Sequence, residues 1–90
     1  MRLIWRERAR EDALAIFHYI AERDRTAAVR LLGAIEACAE RLPEYPYMFR
    51  PGRVAGTREA VVHPNYILVY RVTAETVEIV SLVHARQAYP

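Results

Sequence analysis

Tyr66-Ile67-Leu68-Val69-Tyr70-Arg71-Val72, a break at Thr73-Ala74-Glu75-Thr76, then Val77-Glu78-Ile79-Val80-Ser81-Leu82-Val83: these two runs decide the fold. Both are dense in β-branched and aromatic residues, which pack well on a pleated surface. Each has the length of a strand, and the break between them has the length of a turn. The second run alternates Val77, Ile79 and Ser81 against Glu78, Val80 and Leu82. Its second half is apolar on both faces, which places it inside a sheet rather than at an edge. Upstream, Arg58 to Val62 reads as another strand, joined to Tyr66 by His63-Pro64-Asn65. Proline fixes φ in such a turn and asparagine tolerates unusual backbone angles. Arg2 to Trp5 reads as a short first strand.

The residues between follow a helical period. Ala9, Ala13, Ile16, Phe17 and Ile20 recur at three- and four-residue steps, giving a helix over Ala9 to Ala21. Glu22-Arg23-Asp24-Arg25 is a polar break, and Asp24 or Thr26 can cap the next helix. That second helix runs from about Thr26 to Leu42, with Ala28, Leu31, Leu32, Ile35, Cys38, Ala39 and Leu42 as its apolar stripe. Pro43 stops it. Residues 43–57 hold three Pro and two Gly among Tyr45, Tyr47, Met48 and Phe49, which reads as an aromatic loop. The order is β-α-α-β-β-β. A helical hairpin must bury its stripe, and one sheet face is the available partner. The expected fold is a two-layer α+β domain over residues 1–90, its hairpin packed on a mainly antiparallel four-stranded sheet whose other face is partly open.

Composition agrees with one compact domain. The chain has 90 residues, 53% of them apolar and 27% charged. No apolar run approaches the ~18 residues of a membrane span, and the charged opening Met1-Arg2-Leu3-Ile4-Trp5-Arg6-Glu7 argues against a secretory signal. A cytoplasmic protein with no membrane contact is expected. Cys38 is the single cysteine, and the three histidines stand far apart, so neither a disulfide nor a metal-ligand spacing arises. No phosphate-cradling glycine motif is present. Neither a metal nor a cofactor is expected. All thirteen basic residues are Arg, and the net charge is +2. That charge is too small to coat nucleic acid, so any polyanion site must be local.

Several stretches in order resemble the RelE/ParE superfamily, the toxins of bacterial type II toxin–antitoxin modules. They are Leu3-Ile4-Trp5, then Ala13-Leu14 with Ile16, Tyr19 and Ile20, then Arg41-Leu42 before the Pro-containing loop. Arg50-Pro51-Gly52-Arg53 and Gly56-Thr57-Arg58-Glu59 come next. Tyr66 with Val69-Tyr70-Arg71-Val72, leading to Ile79-Val80, Leu82-Val83-His84 and Arg86, completes the series. The resemblance covers nearly the whole chain. It implies a growth-inhibiting toxin, of the kind associated with plasmid stabilization, that is neutralised by a cognate antitoxin. RelE-like members are mRNA interferases, endoribonucleases that cut messages on the ribosome without a metal. ParE-like members poison DNA gyrase and perform no chemistry. A module partner that has lost toxicity is a third possibility. The ending Arg86-Gln87-Ala88-Tyr89-Pro90 lacks the Met-Asp pair associated with the gyrase branch, which tilts the reading toward the nuclease, with ribosome and mRNA as targets.

Cleavage through a ribose 2′-hydroxyl needs proton transfer and cations on the phosphate. It also needs a surface to hold the base, often an aromatic one. The resemblance implies His84 as the acid or base, with strand capping as its other reading, Arg86 as a cleavage-site cation and Tyr89 as a base-stacking ring; Arg53 is expected to join them in cleavage from its place in the local arginine excess. Arg50, Arg53 and Arg58 fall within nine residues with no acid between them. They read either as a phosphate clamp or as a solvated loop with Arg58 paired to a nearby acid. His63 reads as an RNA contact or as a solvent-facing turn residue. The related toxins carry an Asp where this chain has Asn65, which cannot act as a base. These parts are expected on the open sheet face and its rim. Tyr66 and Tyr70 are expected in or near the core, His18 on the surface, and Cys38 as a small apolar packer.

Overall fold

The computed structural model describes residues 1–87. Its elements are β1 (Arg2–Trp5), α1 (Glu7–Ala21), α2 (Arg25–Arg41), β2 (Arg50–Pro51), β3 (Thr57–His63), β4 (Tyr66–Val72) and β5 (Thr76–His84). The helices and the longer strands fall where their periodicity places them. One strand is added. The aromatic loop contains β2, so the sheet has five strands, in the order β1-β5-β4-β3-β2. Arg50 lies opposite Glu59 and Pro51 opposite Arg58. Pro51 has no amide to donate, which keeps β2 short and at the edge. β1 is parallel to β5, with Leu3 opposite Val77, and every other pairing is antiparallel. β5 lies between β1 and β4, as its two apolar faces require.

The hairpin turns at Asp24, whose Oδ1 accepts the Ala27 amide at 3.0 Å and caps α2. Asp24→Ala is expected to lower stability by about 1 kcal/mol, seen as a lower urea midpoint at unchanged slope. The faces that meet are rich in alanine. Ala9, Ala13, Ala28 and Ala39 are buried, and they let the helix backbones lie close to one another and to the sheet. Leu31, Ile35 and Leu42 then pack with Leu68, Tyr70, Val77 and Ile79 as the main core. Tyr70 is fully buried, and its hydroxyl donates to the Pro46 carbonyl at 2.8 Å, tying the aromatic loop to β4.

Burial pushes the Tyr70 phenol above its ordinary value of 10.0, against the pull of Arg58. It pushes the half-buried Cys38 thiol above 9.0, against Arg41. Both groups hold their protons more tightly folded than unfolded, so the folded state binds more protons. Their stabilising effect is complete below the unfolded values and is lost as pH rises through the folded ones. Chemical denaturation between about pH 8 and 11 is expected to give falling stability, with a shallower fall for Tyr70→Phe.

Two irregularities decide which way the histidines face. Along β4, Tyr66, Leu68 and Tyr70 face the helices, while Ile67 and Val69 belong to a second buried cluster with Val83 on the opposite face. In β5 the pairing skips Val80, because Val69 lies opposite Ser81 and Tyr70 opposite Ile79. An extra residue reverses the alternation beyond it. Leu82 therefore joins the helix-side core and Val83 the far face, and His84 takes the same side as Leu82. In β3 the pairing skips Val62, so His63 lies opposite Tyr66. Simple alternation would send His84 to the open face, and the skip brings it to the helix side.

Candidate functional site

The result is a row of three rings at the end of the sheet. The buried Tyr66 ring lies between His63, with centroids 5.7 Å apart, and His84, 5.4 Å apart and edge-on. The two histidines share one local device. His63 Nδ1 accepts the Asn65 amide at 3.0 Å, and His84 Nδ1 accepts the Arg86 amide at 3.1 Å. A nitrogen that accepts cannot carry the proton, so these contacts assign the neutral tautomer with hydrogen on Nε2. Each ring then presents Nε2–H, a hydrogen-bond donor. His84 borders a recess of about 290 Å³ between α1 and the end of β5, with Asp12, Ile16, Tyr19 and Gln87 on its walls. Asp12 also serves the fold, because its Oδ2 accepts the Leu82 amide at 3.0 Å along the β5 edge that β1 leaves uncovered.

The turn after β5 gathers the expected residues. The Ala85 amide donates to the Asn65 carbonyl at 2.7 Å and the Gln87 amide to the His84 carbonyl at 2.8 Å. Arg86 is exposed and makes no ion pair among the described residues. Arg53 reaches this turn from the loop before β3, its Nη1 donating to the Gln87 carbonyl at 3.0 Å. His84, Arg86 and Arg53 thus converge on one turn. Tyr89 lies outside the described residues.

The expected arginine cluster divides. Glu59, 4% exposed, accepts Arg50 at 3.0 Å and lies 3.8 Å from Arg53 Nε, on the sheet face away from the helices. Arg58 turns the other way. Its Nη1 donates to the Phe49 carbonyl at 2.6 Å and its guanidinium covers the Tyr47 ring at 4.9 Å. Arg58 therefore organises the aromatic loop and is paired to carbonyls rather than to an acid. Glu59 is the residue that sequence reasoning missed. A carboxylate directly after Arg58 was a visible signal, but its burial was not. Tyr66 and Tyr70 are buried and His18 is exposed, as expected. Among the described residues no group of His, Cys, Asp and Glu could hold a metal, and no helix is long and apolar enough to cross a membrane.

Comparison with known proteins adds the family. Residues 3–89 match the family model described as the ParE toxin of the type II toxin–antitoxin system parDE. The chain belongs to the ParE toxin family. It is 39% identical over 90 residues to Y4kP of Sinorhizobium fredii, a protein described as a toxin, covering 99% of this chain and 93% of that one. It is 37% identical over 86 residues to toxin RelE2 of Caulobacter vibrioides, covering 93% and 94%. A solved chain of the chromosomal ParDE system from P. aeruginosa has the same fold, with a TM-score of 0.79 at 23% identity and coverage of 93% and 95%. This ParE-family chain is the toxin of a type II toxin–antitoxin pair, and its family implies a cognate antitoxin as partner.

Proposed function

We propose that this toxin stops growth by cutting mRNA on the ribosome. The observation that carries the reading is the turn after β5, where His84, Arg86 and Arg53 meet. In the inferred reaction a ribose 2′-hydroxyl gives its proton to water and attacks the neighbouring phosphorus to close a 2′,3′-cyclic phosphate, while the bond to the 5′-oxygen of the next nucleotide breaks and that oxygen takes a proton from water. Negative charge grows on the phosphate oxygens and on the leaving oxygen. Nε2–H of His84 donates to that charge, and the guanidinium of Arg86, helped by Arg53, neutralises it. With Nδ1 occupied by the Arg86 amide, the Nε2 edge acts as a donor rather than as a base, so catalysis rests on electrostatic stabilisation. His63 is the corresponding edge on the far side of Tyr66, an RNA contact. Arg50 supports Arg53 through Glu59.

Poisoning of DNA gyrase is the second reading, and the ParE description of the matching family favours it. The two separate cleanly in cells. Transcript 5′ ends would be mapped minutes after the chain is induced without antitoxin. In-frame breaks within translated messages support cleavage. Intact messages with arrested growth and a DNA-damage response would overturn it in favour of gyrase.

A further inference from the structure

The recess on the helix side of His84 holds more polar capacity than the cleavage turn uses. Asp12, Ile16, Tyr66, Leu82 and Gln87 line it. Asp12 uses Oδ2 on the Leu82 amide at 3.0 Å, with Arg8 at 3.9 Å. Its Oδ1 has no partner among the described residues, although the side chain is only 25% exposed. Tyr66 is 9% exposed, and its hydroxyl likewise has no hydrogen-bond partner among them. Buried polar groups ordinarily have one. Gln87 gives its Oε1 to the His84 amide at 3.3 Å, so its Nε2 hydrogens remain to donate.

These groups set the chemistry of a ligand. A carboxylate oxygen without a partner calls for N–H donors, and the Gln87 amide calls for an acceptor beside them. The Tyr66 hydroxyl can serve either. Ile16 and Leu82 call for a flat face of low polarity, and about 290 Å³ gives room for one ring system. A lysine or arginine side chain offers donors only and would meet the Gln87 hydrogens with its own. Single-stranded RNA bases are read on their pairing edges. Adenine, cytosine and uracil each present one donor group there. Guanine presents two, N1–H and N2–H, next to the acceptor O6.

We infer that this recess reads one guanine base of the message, with N1–H and N2–H on the Asp12 carboxylate and O6 on the Gln87 amide and the Tyr66 hydroxyl. The inference rests on the RNA reading above and names the base. His84 borders the recess and belongs to the turn that holds Arg86, so the guanine lies at the cut rather than far along the strand.

The test is the binding of labelled single-stranded RNA octamers to the full chain, measured by anisotropy. Each is oligouridine with one central base varied, and 2′-O-methyl groups prevent cutting. Guanine is expected to bind about tenfold tighter than adenine, the share of one two-pronged base contact. Inosine, which lacks N2–H, should lose about threefold, the share of one hydrogen bond. Asp12→Asn keeps an oxygen for the Leu82 amide and presents an amide donor to the base, so it should abolish the preference for guanine. Tyr66→Phe removes only the hydroxyl and should weaken the guanine octamer by about threefold while leaving all-uridine RNA unchanged. Melting curves of the variants check the fold. Equal binding of all four bases by the wild type, or binding of none, overturns the inference. So does a guanine preference that survives Asp12→Asn. Guanosine monophosphate that displaces the guanine octamer at equal concentration overturns RNA as the source in favour of a free nucleotide. Message cleavage is scored separately from the mapped 5′ ends. Breaks placed without regard to guanine keep the nuclease reading and remove the recess from it. Guanine-selective, Asp12-dependent binding with intact messages keeps the recess and removes the nuclease reading.

Discussion

Replacing His84 with alanine is expected to reduce in-frame message cleavage about 100- to 1,000-fold, the usual cost of losing one donor to developing negative charge. The fold should survive. His84 is half-exposed, caps no helix and fills no core position. Its loss removes one edge-on contact with Tyr66, worth about 0.5–1.5 kcal/mol, and the acceptor of the exposed Arg86 amide, which water can replace. A melting curve shifted by only a few degrees beside a hundredfold loss of cleavage would assign the effect to chemistry. His63→Ala, which loses an RNA contact but no group of the cleavage turn, is expected to lose much less cleavage. It removes the matching ring from the other side of Tyr66, but not from the turn that carries Arg86. A His63 variant as impaired as the His84 variant would show that the two rings act alike, and the separate role assigned to His84 would fail.

The second large effect concerns stability. The double change Arg50→Ala with Arg53→Ala is expected to destabilise the protein by about 3 kcal/mol, because it leaves the buried Glu59 carboxylate without either guanidinium. The opposite change should cost less. Glu59→Gln removes the charge that needed pairing and keeps an oxygen for the Arg53 amide, which now donates at 3.4 Å. Both arginines are exposed enough to be solvated when released. The asymmetry arises from which partner is buried, since an unpaired buried charge costs more than an unpaired surface one. Urea unfolding of the three proteins decides it. A double variant no weaker than Glu59→Gln would mean that water already screens the carboxylate.

Most of the architecture was legible because it rests on periodicity. A dense run of β-branched and aromatic residues marked β4, the three-and-four spacing marked both helices, and alternation with two apolar faces marked β5 and its place inside the sheet. β2 escaped because two residues carry no period, and Arg50-Pro51 lies among loop-forming neighbours. The candidate site was legible as a set of residues but not as a geometry. Its facing depends on single extra residues at Val62 and Val80, and Val80 sits among the apolar residues Ile79 and Leu82 with nothing to mark it as unpaired. Arg58 looked like its neighbours Arg50 and Arg53 because one strand position separates the two faces.

The parallel docking of β1 on β5 also has a kinetic meaning. Arg2 lies opposite Thr76, a separation of 76 − 2 = 74 residues, whereas β3, β4 and β5 are joined by short turns and α1 meets α2 across one polar break. Closing the longer loop costs more chain entropy before any contact repays it. The meander and the hairpin are therefore expected to assemble first, with β1 joining late as an outer strand. Truncating Ile4 to alanine should then hasten unfolding and leave the folding rate nearly unchanged, the behaviour of a position whose contacts form after the rate-limiting step. The strand farthest in sequence from its partner is then among the last to find its place.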